Sequence, residues 1–302
     1  MKTVLDRSVS GIAPFAHMPF LARRGDRAIV VFGQSQDSDT RVPGYGRTRI
    51  GRLWKLRYSE VSAEQLARKG LDLEESVPLE TGLERNEVEC SPCLFLGKSE
   101  AHLSFIGTLG HGTGPLRHRL YRMSGTDLAH LAPAQLVSEN HCYCGFWRPD
   151  LMATGTGDGV IQLALAGGEE RQIDTGFARI ARISYRADFL HHLMVTGSDS
   201  LEFDAPMRTF VYDMEADYVA GEILADGRPT YKPALYGALL LLPEEVSRPA
   251  SDHSPSGKGM AAKSRAAATA ETQRRQAQRT WRLHADRQPQ LVAIDRHFRP
   301  VR

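Results

Sequence analysis

Apolar-rich segments occur in pairs along the chain, and a short turn containing Gly or Asp separates the two members of each pair. Apolar and polar side chains alternate within most members, which is typical of β-strands with one buried face. The five pairs occupy residues 14–33, 89–107, 147–165, 181–197 and 231–243. Because their turns have the composition of hairpin connections, the pattern predicts five β-hairpins.

A further strand with a central aromatic residue follows most of these hairpins. The aromatic residues are Trp54, Tyr121, Phe210 and Trp281. Short segments suited to a fourth strand come next, at residues 76–82, 134–140, 221–227 and 290–297. Four strands per unit, repeated around an axis, form the blade of a propeller. The sequence therefore predicts an all-β, five-bladed β-propeller.

A β-sandwich is the alternative architecture, since it also consists of many short strands joined by turns. A sandwich gives no reason for the aromatic strand to recur, so the propeller is favoured. The third unit departs from the repeat, because only residues 170–176 are available after the strand that begins at Val160. We expect this blade to have three strands.

The last unit is interrupted by an insertion. Its hairpin ends near Pro243, whereas its third and fourth strands are predicted only at residues 279–297. Between them, residues 247–278 are first rich in Pro, Ser and Gly and then in helix-forming residues without an apolar stripe. We therefore expect one domain, residues 1–302, with a flexible or helical insertion and a last blade closed by C-terminal strands.

Composition narrows the classes of partner. The 302 residues carry a formal net charge of +2, with the basic excess near the C-terminus, so a nucleic acid partner is not expected. The longest apolar run, residues 238–243, is far too short to cross a bilayer, and no long apolar segment follows Lys2. Neither a membrane span nor a signal peptide is expected, and we predict a cytoplasmic protein.

The predicted topology brings distant residues together. The first strand of each blade lines the central channel, so the starts of the five hairpins should converge at one site. The residues expected there are His17, Met18, Glu89, Cys90, Arg148, Asp150, Arg179, Arg182, Tyr231 and Lys232. Carboxylates, cations and aromatic rings around a funnel suit a polar ligand such as a sugar or an anion.

The hairpins, and above all the segment ECSPCLF from Glu89, resemble the five-bladed propeller glycosidases of glycoside hydrolase families 32 and 43. The resemblance implies that Glu89 is a general acid and that Asp150, in the segment WRPD, is the second carboxylate. Those families also place an Asp before a Pro in the first blade, whereas this chain has Met18 there, and the order of Pro and Asp in WRPD is inverted. Glycoside hydrolysis needs two carboxylates on either side of the bond.

The four cysteines form a different candidate site. Cys90 and Cys93 have C-x-x-C spacing, and Cys142 and Cys144 have C-x-C spacing. Four thiolates that meet could hold a zinc ion, although buried cysteines without a ligand are more common. The glycosidase resemblance itself requires no cofactor, so zinc is the alternative here.

Two functions follow from these observations. The first is a carbohydrate-directed propeller, which binds or hydrolyses a glycan in the funnel through Glu89 and Asp150, with His17, Arg148, Arg179, Arg182, Tyr231 and Lys232 as ligand-binding residues. The second is a non-catalytic hub of a larger assembly, such as a virion component, with residues 247–278 as the contact to its protein partners. The missing first-blade Asp and the basic insertion motivate the second hypothesis.

Overall fold

A computed structural model of the chain describes residues 16–41, 50–69, 71, 75–84, 87–109, 117–139, 144–155, 158–202, 205–225, 227–247, 279–284 and 289–292. Most of these residues lie in antiparallel β-strands that form five sheets. Within the described ranges, no helix is long and apolar enough to cross a membrane. Most of the predicted insertion, residues 248–278, lies outside the described residues, and so do residues 293–297 of the predicted last strand.

Blades one to four each contain at least four strands. Blade one consists of β1 (Ala16–Arg24), β2 (Arg27–Arg41), β3 (Ile50–Ser62) and β4 (Val77–Pro78), with helix α1 (Ala63–Lys69) after β3. Blade two consists of β5 (Val88–Leu96), β6 (Ala101–Leu109), β7 (Arg117–Gly125) and β8 (Gln135–Ser138). Blade three consists of β9 (Cys144–Arg148), β10 (Leu151–Gly155), β11 (Val160–Leu165) and β12 (Glu170–Asp174). Blade four consists of β13 (Arg179–Arg186), β14 (Phe189–Ser198), β15 (Arg208–Asp213), β16 (Tyr218–Ala225) and β17 (Arg228–Pro229).

The fifth sheet is smaller. It consists of β18 (Ala234–Tyr236), β19 (Leu239–Ser247) and β20 (Arg279–His284). The first strands of the sheets form a closed ring of contacts, in which β1 touches β5, β5 touches β9, β9 touches β13, β13 touches β18, and β18 touches β1. The predicted all-β propeller is thereby confirmed, but with four complete blades and a three-stranded fifth sheet instead of five complete blades.

Blade three has four strands, so the prediction of three strands was wrong. Its inner strand β9 turns into β10 through only two residues, Pro149 and Asp150, because Arg148 pairs directly with Leu151. The Gly and Asp residues of the sequence predict instead that the first turn of this blade comes further along the chain, just before Val160. The hairpin of β10 and β11 is therefore the second connection of the blade and not the first.

The C-terminal strands divide between two sheets. Strand β20 pairs with β19, which confirms that the chain returns to the fifth sheet. The next strand, β21 (Pro289–Val292), pairs instead with β16 of blade four, so its predicted place in the last blade was wrong. Glu222 of β16 pairs with Phe210 on one side and with Val292 on the other, so β21 occupies a free edge of that strand. An unpaired edge offers a row of backbone donors and acceptors that a returning strand satisfies.

The largest hydrophobic core lies between the blades. Strand β6 illustrates the reason: Leu103, Phe105 and Ile106 are all buried, so both faces of this strand pack against neighbouring sheets. Strand β12, at the edge of blade three, is buried only at Ile173 and is otherwise polar. Burial therefore decreases from the axis towards the rim, as expected for blades that stand side by side around a channel.

Candidate functional site

A residue with positive φ stands immediately before a proline at the start of three blades. The residues are Met18 (φ 51°), Ser91 (φ 52°) and Lys232 (φ 46°). An L-amino acid in this left-handed region costs about 1–2 kcal/mol, and the ring of a following proline restricts the backbone further. Non-glycine residues held in such conformations cluster at functional sites. We call the end of the channel where the inner strands begin the start face, and these three residues lie there.

Met18 and Ser91, two of these three residues, lie in equivalent β-bulges. In blade one, two residues between His17 and Phe20 oppose a single residue of β2. In blade two, two residues between Cys90 and Cys93 likewise oppose a single residue of β6. A bulge bends its strand and changes the direction of a side chain. The repeat therefore builds the same local shape at equivalent places around the axis.

Direct contacts join blades one, two and four and the fifth sheet at this point. The Ser91 hydroxyl donates to the Met18 sulfur at 2.9 Å. The Arg182 guanidinium of blade four donates to the carbonyl oxygens of Pro19 at 2.7 Å and of Lys232 at 3.1 Å. Arg182 and Lys232, both predicted to bind a ligand, are thus brought together with Met18.

This cluster carries positive charge in a buried setting. Arg182 is 1% exposed and Lys232 is 6% exposed. Burial lowers the pKa of Arg182 to about 10, which still leaves the guanidinium charged at neutral pH. Within the part of the chain that the structure describes, no salt bridge joins either cation to a carboxylate. Because a buried charge without a counter-charge is costly, the cluster favours an anionic or strongly polar ligand.

The remaining predicted ligand-binding residues of the start face lie near the beginnings of their strands. His17 is in β1, in register with Gly33. Arg179 is the first residue of β13, and Tyr231 precedes Lys232, whose ammonium lies 5.0 Å from the centre of the Tyr231 ring. These positions place all three residues on the same side of the molecule as Lys232.

Glu89, the predicted general acid, lies between blades one and two. It is 1% exposed, and its carboxylate accepts three hydrogen bonds: from the Lys55 ammonium at 2.7 Å, from the Thr81 hydroxyl at 2.8 Å and from the Leu56 backbone N–H at 3.1 Å. Both carboxylate oxygens are therefore occupied. In this arrangement Glu89 links blade two to β3 of blade one.

Asp150 and Arg148 lie at the opposite end of the channel. Arg148, the last residue of β9, has its guanidinium carbon 5.0 Å from the ring centre of Tyr185, which is close to the end of β13. Inner strands thus run in the same direction, and the turn after β9 belongs to the face where they end, which we call the end face. Asp150 is in this turn, 57% exposed in its side chain, and pairs with Arg148 at 2.8 Å. The structure does not bring Glu89 and Asp150 together.

The described cysteines are buried or half-buried thiols. Cys90 and Cys93 lie on either side of the bulge in β5, and Cys144 is in β9. Burial raises the pKa of Cys90 to about 11 and that of Cys93 to about 12, so both thiols are protonated at neutral pH. In the described part of the chain no cysteine belongs to a group of three potential metal ligands, and Cys142 lies outside the described residues. Zinc on the four cysteines stays a prediction.

Glu87 is a buried carboxylate that the sequence reasoning missed. Burial raises its pKa, and the hydroxyl of Tyr121 hydrogen-bonds to it. A Cβ atom on Gly107 would lie 2.4 Å from Glu87 Oε1, so the glycine leaves room for this side chain. Glu87 and Glu89 are two residues apart, and alternation along a strand places such residues on the same face. That spacing was the available signal for a polar cluster beside the start face.

Comparisons with known proteins identify the fold. No protein-family model and no curated protein matches the sequence. Among solved structures, the chain is similar to a family 117 glycoside hydrolase of the marine bacterium Zobellia galactanivorans, with 9% identity over 83% of this chain and 84% of that chain and a TM-score of 0.54. It is also similar to a glycosyl hydrolase from Bacteroides ovatus, with 10% identity over 77% and 81% of the two chains and a TM-score of 0.48.

A GH43 endo-arabinanase from Bacillus licheniformis is 11% identical over 95% of this chain and 97% of that chain, with a TM-score of 0.42. At these identities the similarity concerns the fold and not the chemistry. The likeness to the family 117 enzyme confirms the predicted resemblance to propeller glycosidases at the level of the fold.

Proposed function

We propose that this protein is a carbohydrate-directed propeller that binds a glycan at the start face, and that the glycan carries carboxylate or sulfate groups. The fold is one that glycoside hydrolases use. The proposal rests above all on the cluster of Met18, Ser91, Arg182 and Lys232, in which three strained residues and two buried cations meet at the channel.

The charge of the cluster selects the ligand class. A neutral sugar offers hydroxyl groups, which would leave the two cations without a counter-charge. A uronic acid or a sulfate ester supplies that charge and accepts charge-assisted hydrogen bonds from Lys232. The Tyr231 ring beside Lys232 adds an apolar surface of the kind found in polar-ligand pockets.

Binding is supported more directly than hydrolysis. A glycosidase needs two carboxylates about 5–9.5 Å apart across the scissile bond. Glu89 is instead engaged with Lys55, Thr81 and Leu56, and Asp150 belongs to the end face. Hydrolysis by this pair would require Glu89 to leave its ion pair with Lys55. Hydrolysis therefore stays a prediction, which the activities of the wild type and of a Glu89→Gln variant on a panel of chromogenic glycosides can test.

Calorimetric titration tests the binding proposal. The purified full chain is titrated with oligogalacturonate, with a sulfated carrageenan oligosaccharide and with a neutral galacto-oligosaccharide. We expect an anionic sugar to bind at least about 10-fold more tightly than the neutral one, because one charge-assisted hydrogen bond contributes about 1.5–3 kcal/mol. Lys232→Met should remove this preference.

Lys98→Met is the matched control, since it deletes the same charge at an exposed position of the turn after β5. If Lys98→Met and Lys232→Met behave alike, the cluster is not the binding site. If none of the three sugars binds the wild-type protein, the proposal is wrong.

A further inference from the structure

Two histidines and an aspartate meet on blade four, away from the start face. They are His191 and His192 in β14 and Asp213 at the end of β15, and all three are half-buried. One potential metal-binding atom from each residue lies within 4.8 Å of the other two. Neither the glycan proposal nor the predicted catalytic pair uses these side chains.

The neighbouring histidines reach the same side of the sheet because β14 departs from regular pairing. Tyr185 pairs with Leu193, but the next residue of β13, Arg186, pairs with Phe189. Three residues of β14, including both histidines, therefore have no partner on β13. In a regular strand, consecutive side chains point to opposite faces. Here the two imidazole rings are 4.5 Å apart at an angle of 75°.

The spacing of His192 and Asp213 fits a metal bridge. The two residues are directly opposite each other across the β14–β15 ladder, and His192 Nε2 lies 3.5 Å from Asp213 Oδ2. Two ligands bound tetrahedrally to zinc at about 2.0–2.1 Å are about 3.4 Å apart. His191 supplies the third potential ligand, and its ligand atom lies within 4.8 Å of those of His192 and Asp213.

Hydrogen bonds already orient the Asp213 carboxylate for metal binding. Its Oδ1 atom accepts hydrogen bonds from the backbone N–H groups of Glu215 at 3.0 Å and Ala216 at 3.1 Å. These bonds fix the carboxylate and direct Oδ2 towards His192. In protein metal centres, the side chains that bind the metal are usually held in place by hydrogen bonds from groups that do not bind it themselves.

Packing also fixes His192. The Phe189 ring stacks on its imidazole, with centres 5.3 Å apart and planes at 17°. His192 Nδ1 is buried and has no hydrogen-bond partner among the described residues. The nearby cation Arg186 is paired with Asp188 at 2.7 Å, so its charge is already balanced.

We propose that His191, His192 and Asp213 form a binding site for a divalent transition metal ion, and that this ion is Zn²⁺. Two imidazoles and one carboxylate are a ligand set that zinc accepts, and three protein ligands leave a fourth position for water. The site lies beside the turn that follows β15 and is separate from the channel cluster of Lys232 and Arg182.

Equilibrium dialysis with elemental analysis tests the site directly. The full chain is treated with a chelator, dialysed and then equilibrated with Zn²⁺ alone. We expect one equivalent of zinc to bind, and we expect His191→Gln and Asp213→Asn each to weaken binding by about 10-fold or more. Asn keeps an oxygen that can accept the two turn hydrogen bonds, so Asp213→Asn should remain folded, and its unfolding temperature in chelator verifies this.

His130→Gln is the matched control, because His130 also contacts an aspartate, Asp127, at 2.8 Å, but among the described residues it belongs to no group of three potential metal ligands. Its zinc affinity should equal that of the wild type. Substitution of Co²⁺ for zinc provides a second readout, since a tetrahedral site with nitrogen and oxygen ligands gives visible absorption without a sulfur charge-transfer band.

Three results would overturn the proposal. The first is the absence of stoichiometric zinc binding by the wild type. The second is unchanged affinity in His191→Gln. The third is a sulfur charge-transfer band that disappears with Cys93→Ser, which would place the metal on the cysteines instead.

Discussion

The hydroxyl of Ser91 donates to the sulfur of Met18 at 2.9 Å, across the inner strands of blades one and two. Both residues have positive φ and both precede a proline. The contact therefore joins two strained backbones at equivalent positions of two blades. The backbone strain at this point of the channel can be measured by substitution.

Substitutions at Ser91 separate strain from hydrogen bonding. Ser91→Ala removes the hydroxyl but keeps a Cβ atom at φ 52°, whereas Ser91→Gly removes both. We expect the glycine variant to be more stable than the alanine variant by about 1 kcal/mol, because glycine adopts a positive φ without steric cost. Chemical denaturation of the two variants measures the difference. An alanine variant as stable as the glycine variant would show that the backbone is not strained.

The two predicted catalytic carboxylates should differ strongly in their effect on stability. Glu89→Gln removes a buried charge that accepts hydrogen bonds from Lys55, Thr81 and Leu56, and we expect a loss of about 2 kcal/mol. Asp150→Asn removes an exposed charge next to Arg148 and should cost less than about 1 kcal/mol. Urea denaturation of both variants measures the two effects. Equal stabilities would contradict the structural role of Glu89.

Replacement of Arg182 by lysine should destabilise the protein. The planar guanidinium of Arg182 reaches the Pro19 and Lys232 carbonyl oxygens together, and a single ammonium cannot reproduce that geometry. We expect Arg182→Lys to lower the free energy of unfolding by about 2 kcal/mol, the cost of lost hydrogen bonds to a charged group in a buried site. Arg117→Lys, at an exposed position at the start of β7, is the control and should have no measurable effect.

Glu87 gives the stability of the protein a specific pH dependence. Burial raises its pKa in the folded state above the ordinary value of 4.5, so the folded state binds the proton more tightly than the unfolded state does. The free energy of unfolding should therefore fall as the pH rises from about 4.5 through the raised pKa of Glu87. Glu87→Gln should flatten this part of the profile and be more stable than the wild type at neutral pH.

The exposed Glu84 supplies the comparison for that experiment. Glu84→Gln should leave the pH profile of stability unchanged, as measured by thermal unfolding in a series of buffers. A Glu87→Gln profile that follows the wild type at every pH would show that Glu87 does not carry the effect.

Two truncations test the placement of β21. A chain that ends at residue 292 keeps β21, and one that ends at residue 288 loses it and exposes the edge of β16. We expect the shorter chain to unfold at a lower temperature and to associate more readily, since an open strand edge pairs with other chains. Calorimetry and light scattering compare the two. Identical behaviour would mean that β21 does not close blade four.

Much of the fold follows from local sequence patterns. Alternation and turn residues predicted the hairpins β1–β2, β5–β6 and β13–β14, because each hairpin joins neighbouring segments through a short turn. The turn at Pro149 and Asp150 was missed, since a two-residue connection leaves β9 and β10 looking like one segment. The partner of β21 was missed because several sheet edges could accept a short strand, and no local pattern distinguishes them.

The candidate site was predictable in part. The positions of Lys232 and Arg182 near the axis followed from the repeat, but the left-handed backbone at Lys232 did not, since a residue before proline usually avoids it. Glu89 was assigned to catalysis from its local motif, whereas its environment depends on Lys55, which is 34 residues away. His191 and His192 are adjacent in the sequence, so a regular strand would point them to opposite faces, and only the irregular pairing of β14 brings their rings together.

A structure of the protein with bound oligogalacturonate would show whether the start face binds the sugar. We expect a sugar carboxylate within hydrogen-bond distance of Lys232 Nζ, at the end of the channel where Met18 and Ser91 lie. A sugar bound on the face of Asp150, or anywhere that leaves Lys232 without contact, would contradict this expectation.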